Sequence, residues 1–232
     1  MDQKTLTNMF DQQAQHYDQQ WQKMRPINDT LYLFLNQILN ELPDDAHILC
    51  VGAGTGNEII NLAALNDSWR FTIVEPSAGM NQVCQANLQM QGILERCRFH
   101  QDYLNSFDDT AQFNAATSFL VSHFMTDTTI RREYFSNIAM RLLPKGILVS
   151  TDLSADTQAE NYPQLLRFWF AVMSGSLSSE QELEKFKQAY RQGLAIIPPV
   201  KLAELIETCG FESPLHFYQA GMINGFYACK AA

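Results

Sequence analysis

Three glycines, Gly52, Gly54 and Gly56, stand at alternate positions just after the apolar run Ile48-Leu49-Cys50-Val51. An acid, Glu75, closes the next apolar run, Phe71-Thr72-Ile73-Val74. Glycine allows the sharp, positive-φ turn that such a junction needs and leaves no Cβ between backbone and ligand. A carboxylate at the end of the second strand can accept hydrogen bonds from a ribose diol. Glycines alone would say little, since helix starts and tight loops also use them. Strand, glycine turn, helix, strand and terminal acid together describe the βαβ half of a nucleoside-binding sheet. The spacing Gly-x-Gly-x-Gly is one residue shorter than the dinucleotide pattern, which disfavours a nicotinamide dehydrogenase.

Two further places could carry chemistry. Asp102-Tyr103 follows a short apolar run, where the acid could serve a ligand or cap a turn. His123, between Ser122 and Phe124, follows the run 113–121. A histidine there could act as general base for a hydroxyl or amine, because its proton exchanges near neutral pH, or be a hydrogen-bonded histidine at a strand end. His47, His100 and His216 lie in or beside strand patterns and read as structural, and His16 is undetermined. The five cysteines are scattered and form no Cys-x-x-Cys pair, so neither zinc ligation nor a disulfide framework is expected.

The elements that must position these residues alternate. A polar N-terminal stretch, 3–24, carries Phe10, Tyr17 and Trp21 at helical spacing. A helix over about 28–41, capped by Asn28 or Asp29, ends at Pro43. Strands are expected at 46–51, 70–75, 96–100, 113–121 and 147–151, with helices after the glycine turn, over 77–92 and over 127–142. This rhythm implies a parallel sheet covered on both faces. It breaks after Asp152: residues 156–197 read as entirely helical, with Phe168-Trp169-Phe170 and a capping box of Ser179 and Glu182. A helix ending at Gly210 and two strands, 212–219 and 222–229, complete the chain. The division expected is 1–45 as an N-terminal helical cap, 46–155 with 198–232 as the core, and 156–197 as a helical insertion or substrate lid.

The glycine turn and Glu75 resemble the first motif and the ribose-binding acid of class I S-adenosylmethionine-dependent methyltransferases, of the small-molecule type. The resemblance covers roughly 10–229 and is strongest over 46–152. It implies an α/β, Rossmann-like seven-stranded, mostly parallel sheet with helices on both faces and a helical insertion before the last two strands. It implies S-adenosyl-L-methionine as cofactor, with Gly52, Ala53, Gly54 and Gly56 meeting its tail and ribose. Glu75 then takes the diol, Pro76 and Met80 lie against adenine, and Asp102 with Tyr103 serves the adenine edge. His123 falls where the family brings residues close to the transferable methyl. The string Phe10-Asp11-x-x-Ala14-x-x-Tyr17-Asp18 resembles the N-terminal motif of quinone-biosynthesis-type methyltransferases, which folds over the cofactor. That makes Tyr17 a second catalytic candidate beside His123, Trp21 a cofactor or substrate wall and Arg25 a partner for the cofactor carboxylate; the alternative for Tyr17 and Trp21 is an amphipathic helix that simply packs on the domain. Leu142-Leu143-Pro144-Lys145-Gly146 resembles the family's Leu-x-Pro-Gly-Gly turn, with Lys145 in place of a glycine.

Composition narrows the partners. The 232 residues carry a net charge of −9 and no basic run, which argues against nucleic acid and for a small-molecule substrate. No stretch approaches a membrane span and the N-terminus has no signal-peptide pattern, so a cytoplasmic enzyme is expected. Adjacent aromatics at 168–170 cannot all face one site, and a homodimer is the assembly expected if a partner subunit covers some of them. No metal is expected. Two alternatives stay open: a non-catalytic protein binding S-adenosylmethionine or S-adenosylhomocysteine, and an enzyme using a carboxymethyl-bearing sulfonium, whose signature would be an added Arg near the sulfonium.

Overall fold

The computed structural model describes residues 2–108, 110–175 and 179–231. Its centre is a seven-stranded sheet in the order β3-β2-β1-β4-β5-β7-β6. The strands are β1 His47–Val51, β2 Arg70–Val74, β3 Cys97–His100, β4 Phe113–Phe119, β5 Leu142–Leu153, β6 Phe211–Ala220 and β7 Ile223–Lys230. β1 to β5 pair in parallel, while β7 runs antiparallel to both β5 and β6. The fold is therefore the Rossmann-like, mostly parallel sheet that the sequence implies. From β1 the chain builds outward to β3, then crosses back to place β4 on the other side of β1. That reversal opens a crevice at the carboxyl ends of β1 and β4, the usual ligand position in such sheets.

The central strands are apolar almost throughout because both faces are covered. Leu49, Phe113 and Leu148 are buried on one face with Phe135 and Ile138. Ile48, Cys50, Phe71 and Ile73 are buried on the other with Leu35, Ile59 and Leu88. The covering helices are α3 Arg25–Leu39, α4 Asn57–Ala63, α5 Ala78–Met90, α6 Thr128–Arg141 and α9 Pro199–Glu207. Each buried Leu or Phe of this kind contributes about 1.5–3 kcal/mol.

Several boundaries differ from expectation. The helix expected at 28–41 starts at Arg25, because Pro26 fits the first turn, where no intrahelical amide bond is lost. The N-terminal stretch is not one helix: α1 Gln3–Gln13 and α2 Tyr17–Trp21 are separated by a tight turn at Ala14–His16. β5 begins at Leu142, five residues earlier than expected, and its pairing with β4 shifts between Phe113 and Ala115. Lys145 there adopts φ 62, the left-handed conformation that a glycine would take without strain.

The segment 156–197 is not entirely helical. Among its described residues it holds two helices, α7 Tyr162–Ser174 and α8 Glu180–Gly193, with irregular backbone before α7 and after α8. The three adjacent aromatics diverge as helical geometry requires: Trp169 is buried, Phe168 is exposed, and Phe170 packs on Phe186. The Trp169 indole N–H donates to the Tyr190 hydroxyl at 2.8 Å, tying α7 to α8. Both helices pack with Met24, Leu31, Leu153 and Met222 in a separate apolar cluster at one end of the sheet.

Candidate active site

At the crevice between β1 and β4 lies a cavity of about 270 Å³. Its floor is the turn after β1. Gly52 donates its amide to the Val74 carbonyl at 2.7 Å, which ties the turn to the end of β2. Gly52, Gly54 and Gly56 all have positive φ (70, 54 and 83), the conformation that only glycine takes freely. They differ in what surrounds them. A Cβ on Gly56 would lie 2.7 Å from Cys84 Sγ, so that glycine serves packing against α5. A Cβ on Gly54 would meet nothing within 4 Å, because Gly54 borders the cavity itself.

Glu75 stands across the turn from Gly54. Its Oε2 accepts the Gly54 amide at 3.0 Å and its Oε1 accepts the Ser77 amide at 2.9 Å. Each oxygen has acceptor capacity left, enough for two more donors. Burial pushes the Glu75 carboxyl up, and the Asp11 charge adds to this, while the two amide bonds pull it down. The backbone beneath is fixed by Asn81, whose amide donates to the carbonyls of Glu75 (2.6 Å) and Ser77 (2.9 Å). Pro76, Ser77, buried Met80 and Tyr103 continue the wall on this side.

The opposite wall is apolar. Leu120, Val121 and Phe124 follow β4, and Ile130 and Tyr134 come from α6. A Cβ on Gly52 would collide with Val121, so wall and floor touch directly. Leu120 holds φ 57, a strained conformation for a branched side chain, with its amide bonded to the Thr151 carbonyl at 2.8 Å. The N-terminal segment closes the cavity, contributing Leu6, Thr7, Phe10 and Tyr17. Burial, with Glu75 and Asp18 nearby, raises the Tyr17 phenol, which therefore stays protonated.

Some expected residues lie elsewhere. His123 is 2% exposed and does not line the cavity. Its ring packs 4.4 Å from that of Phe124, which faces the cavity, and its Nδ1 sits 2.9 Å from Asp152 Oδ1. Asp152 also accepts the His123 amide and the Ser122 hydroxyl. Burial would raise the Asp152 carboxyl, but the His123 hydrogen bond and the Arg131 charge hold it below the usual range. His123 thus takes the position of a hydrogen-bonded histidine at a strand end, one residue from the cavity wall at Phe124. Asp102 is exposed, off the cavity wall, and its Oδ1 accepts the Tyr103 amide at 2.7 Å. Ala53 is buried behind the turn rather than on the cavity wall. Arg25 is exposed and pairs with Asp29 at 3.5 Å, away from the cavity, and Trp21 packs on Tyr17 from outside it. No residue of 156–197 among those described lines the cavity, so its cover is α1 and α2 instead. Among the described residues no group of His, Cys, Asp and Glu is arranged to hold a metal ion.

The open space beside Gly54, the spare acceptor capacity of Glu75 and the apolar side chains of Met80 and Val121 on facing walls have the chemistry to take an adenosyl group. A family model described as a methyltransferase domain matches residues 48–146. No curated protein matches the chain at a significant level. Among solved structures, a candidate O-methyltransferase from Nostoc punctiforme PCC 73102 shares 15% identity at a TM-score of 0.67, with 95% of this chain covering 60% of that one. The 1,6-didemethyltoxoflavin-N1-methyltransferase of Burkholderia thailandensis, solved with S-adenosylhomocysteine, shares 19% at 0.66, covering 98% of this chain and 88% of that one. The cyclase SpnF shares 16% at 0.63, covering 88% and 80%. The chain thus spans about 60% of the first of these, and such distant likenesses establish the fold. The matched region, 48–146, holds the glycine turn and Glu75, and over it the chain is similar to methyltransferase domains.

Proposed function

We propose that this protein transfers a methyl group from S-adenosylmethionine to a small, partly apolar acceptor. The observation that carries the reading is Glu75, held by the Gly54 and Ser77 amides at the wall of a cavity floored by Gly54. The cofactor supplies a methyl already activated by a positive sulfonium, so the protein need only align the partners and tolerate moving charge. Glu75 and Gly54 hold the ribose end. Phe10, Phe124 and Leu120 exclude water, which protects a sulfonium and sharpens local electrostatics. Tyr17, kept neutral, orients an incoming nucleophile by its hydroxyl and does not remove its proton.

The cavity is lined by three acids, Glu75, Asp127 and Glu133, and among the described residues by no Lys or Arg. A cofactor of net positive charge suits that lining. A carboxymethyl-bearing sulfonium would bring an extra anion with no cation to meet it, so the methyl donor is the better reading. The likeness to a cyclase shows that this fold also carries proteins named for other chemistry. The test is therefore twofold. Calorimetry should give a 1:1 complex with S-adenosylhomocysteine, and mass spectrometry of a metabolite extract with labelled S-adenosylmethionine should show products heavier by one methyl. Binding without any methylated product would favour the non-catalytic reading, and absence of binding would defeat both.

A further inference from the structure

The segment that covers the cavity is held down by side-chain hydrogen bonds beside a few ring and small-residue contacts, among them Phe10 on Phe124. None of the residues of α1 is buried, and of the turn that follows only Ala14 is, seated on Gly79. Phe10 and Tyr17 line the cavity, and their rings pack mainly on each other, on Phe124 and on Trp21. Apolar burial therefore anchors the segment weakly, and polar tethers must do the rest.

Two aspartates supply the tethers. Asp11 Oδ1 accepts the Ser77 hydroxyl at 2.5 Å and the Gly79 amide at 2.9 Å, just beyond Glu75 at the start of α5. A Cβ on Gly79 would lie 2.9 Å from the Asp11 carbonyl, so this approach needs glycine there. Asp18 Oδ1 accepts the Thr55 hydroxyl at 2.6 Å and the Asn57 amide group at 2.9 Å, within the glycine turn and the start of α4. The two acids thus grip the two loops that form the floor and wall of the site, and Phe10 and Tyr17 are each one residue before a gripping aspartate. Farther out, the Tyr103 hydroxyl lies 2.8 Å from that of Thr7 and donates to the Gln3 carbonyl at 2.8 Å.

Resting on the cofactor reading above, we propose that Asp11 and Asp18 are positioning residues that latch the N-terminal segment over the bound cofactor and set how long it stays. Each acts through its loop and touches no reacting atom. With both latches made, Phe10 and Tyr17 close the cavity; a ligand of adenosyl size leaves only when the segment lifts. A segment with so little buried area opens locally at low cost, so the latches govern the opening rate. An aspartate that accepts two bonds on one oxygen can be replaced by asparagine with both acceptances kept, whereas alanine loses both.

The experiment measures release of radiolabelled S-adenosylhomocysteine into excess unlabelled ligand for the parent, D11A, D11N, D18A and D18N, with hydrogen–deuterium exchange of residues 3–21 in the same proteins. The alanine variants should release ligand about tenfold faster or more, as expected for two lost hydrogen bonds. Their N-terminal segment should lose protection while the sheet keeps it, and D11N should stay within about threefold of the parent on both readings. Ligand binding by folded D11A and D18A with parental release rates overturns the latch and leaves the cofactor reading intact. Should either alanine variant fail to fold, S77A, which removes an Asp11 donor, or the double variant T55A/N57A, which removes the two Asp18 Oδ1 donors, decides in its place: faster release is expected, and a parental rate overturns the latch. No binding by the parent overturns both.

Discussion

The Glu75 carboxylate bridges the two loops of the site: Oε2 takes the Gly54 amide at 3.0 Å and Oε1 takes the Ser77 amide at 2.9 Å. Glutamine has nearly the same shape but must turn a donor toward one of those amides. E75Q should therefore keep the fold yet weaken S-adenosylhomocysteine binding by roughly 10–100-fold, since a lost charged acceptor costs about 1.5–3 kcal/mol. Calorimetry reads this directly. Parental affinity in E75Q would mean that no diol is bound there.

Gly54 and Gly92 make a matched pair. Both have positive φ, 54 and 71, and neither has an atom within 4 Å of where a Cβ would go. An alanine at either pays the same backbone strain, about 1 kcal/mol. Only Gly54 borders the cavity. G54A and G92A should thus lose similar stability, while G54A alone loses cofactor affinity, by tenfold or more. Equal affinities in a binding titration would move the cofactor off the glycine turn.

Glu58 concerns stability rather than binding. It is 5% exposed, its Oε1 accepts the Thr117 hydroxyl at 2.7 Å, and burial pushes its carboxyl up to about 7. A raised acid pKa favours the folded state below the unfolded value, near 4.5, and that advantage is lost as pH rises through about 7. Parent stability should fall from pH 5 to pH 8 relative to E58Q by on the order of 3 kcal/mol. Denaturant melts of the two proteins at both pH values test this; parallel pH profiles would show that Glu58 ionises normally.

The parts of the site that sequence reveals are those fixed by neighbours in the chain. Gly52, Gly54 and Glu75 are legible because a turn that needs positive φ and a strand that stops on an acid leave local signatures. The tethers are not legible in this way. Asp11 and Ser77 lie 66 positions apart, and Asp18 and Thr55 lie 37 apart, so only the folded chain brings them together. Helical periodicity locates α7 and α8, yet says nothing of which surface they cover, and they pack beside Met24 and Met222 rather than on the cavity. Leu120 gives no signal either, since its left-handed backbone is imposed by the bond to Thr151.

His123 shows the same limit from the other side. A histidine after the fourth strand suggests a base, but Asp152, 29 positions on, draws its Nδ1 into a buried network with Ser122 and Arg131. Removing one member leaves the others buried and short of partners, which costs about 2–4 kcal/mol. H123L should therefore lower Tm by roughly 5–10 °C, with S-adenosylhomocysteine affinity within about threefold of the parent. In H123N the amide can replace the Nδ1–H donor, so it should recover much of the lost Tm. Once an acceptor is known, the pH dependence of kcat/KM gives the sharper test. An ionisation in the parent profile that disappears in stably folded H123N would restore His123 as the base; a profile unchanged in H123N leaves it a structural member of the Asp152 network.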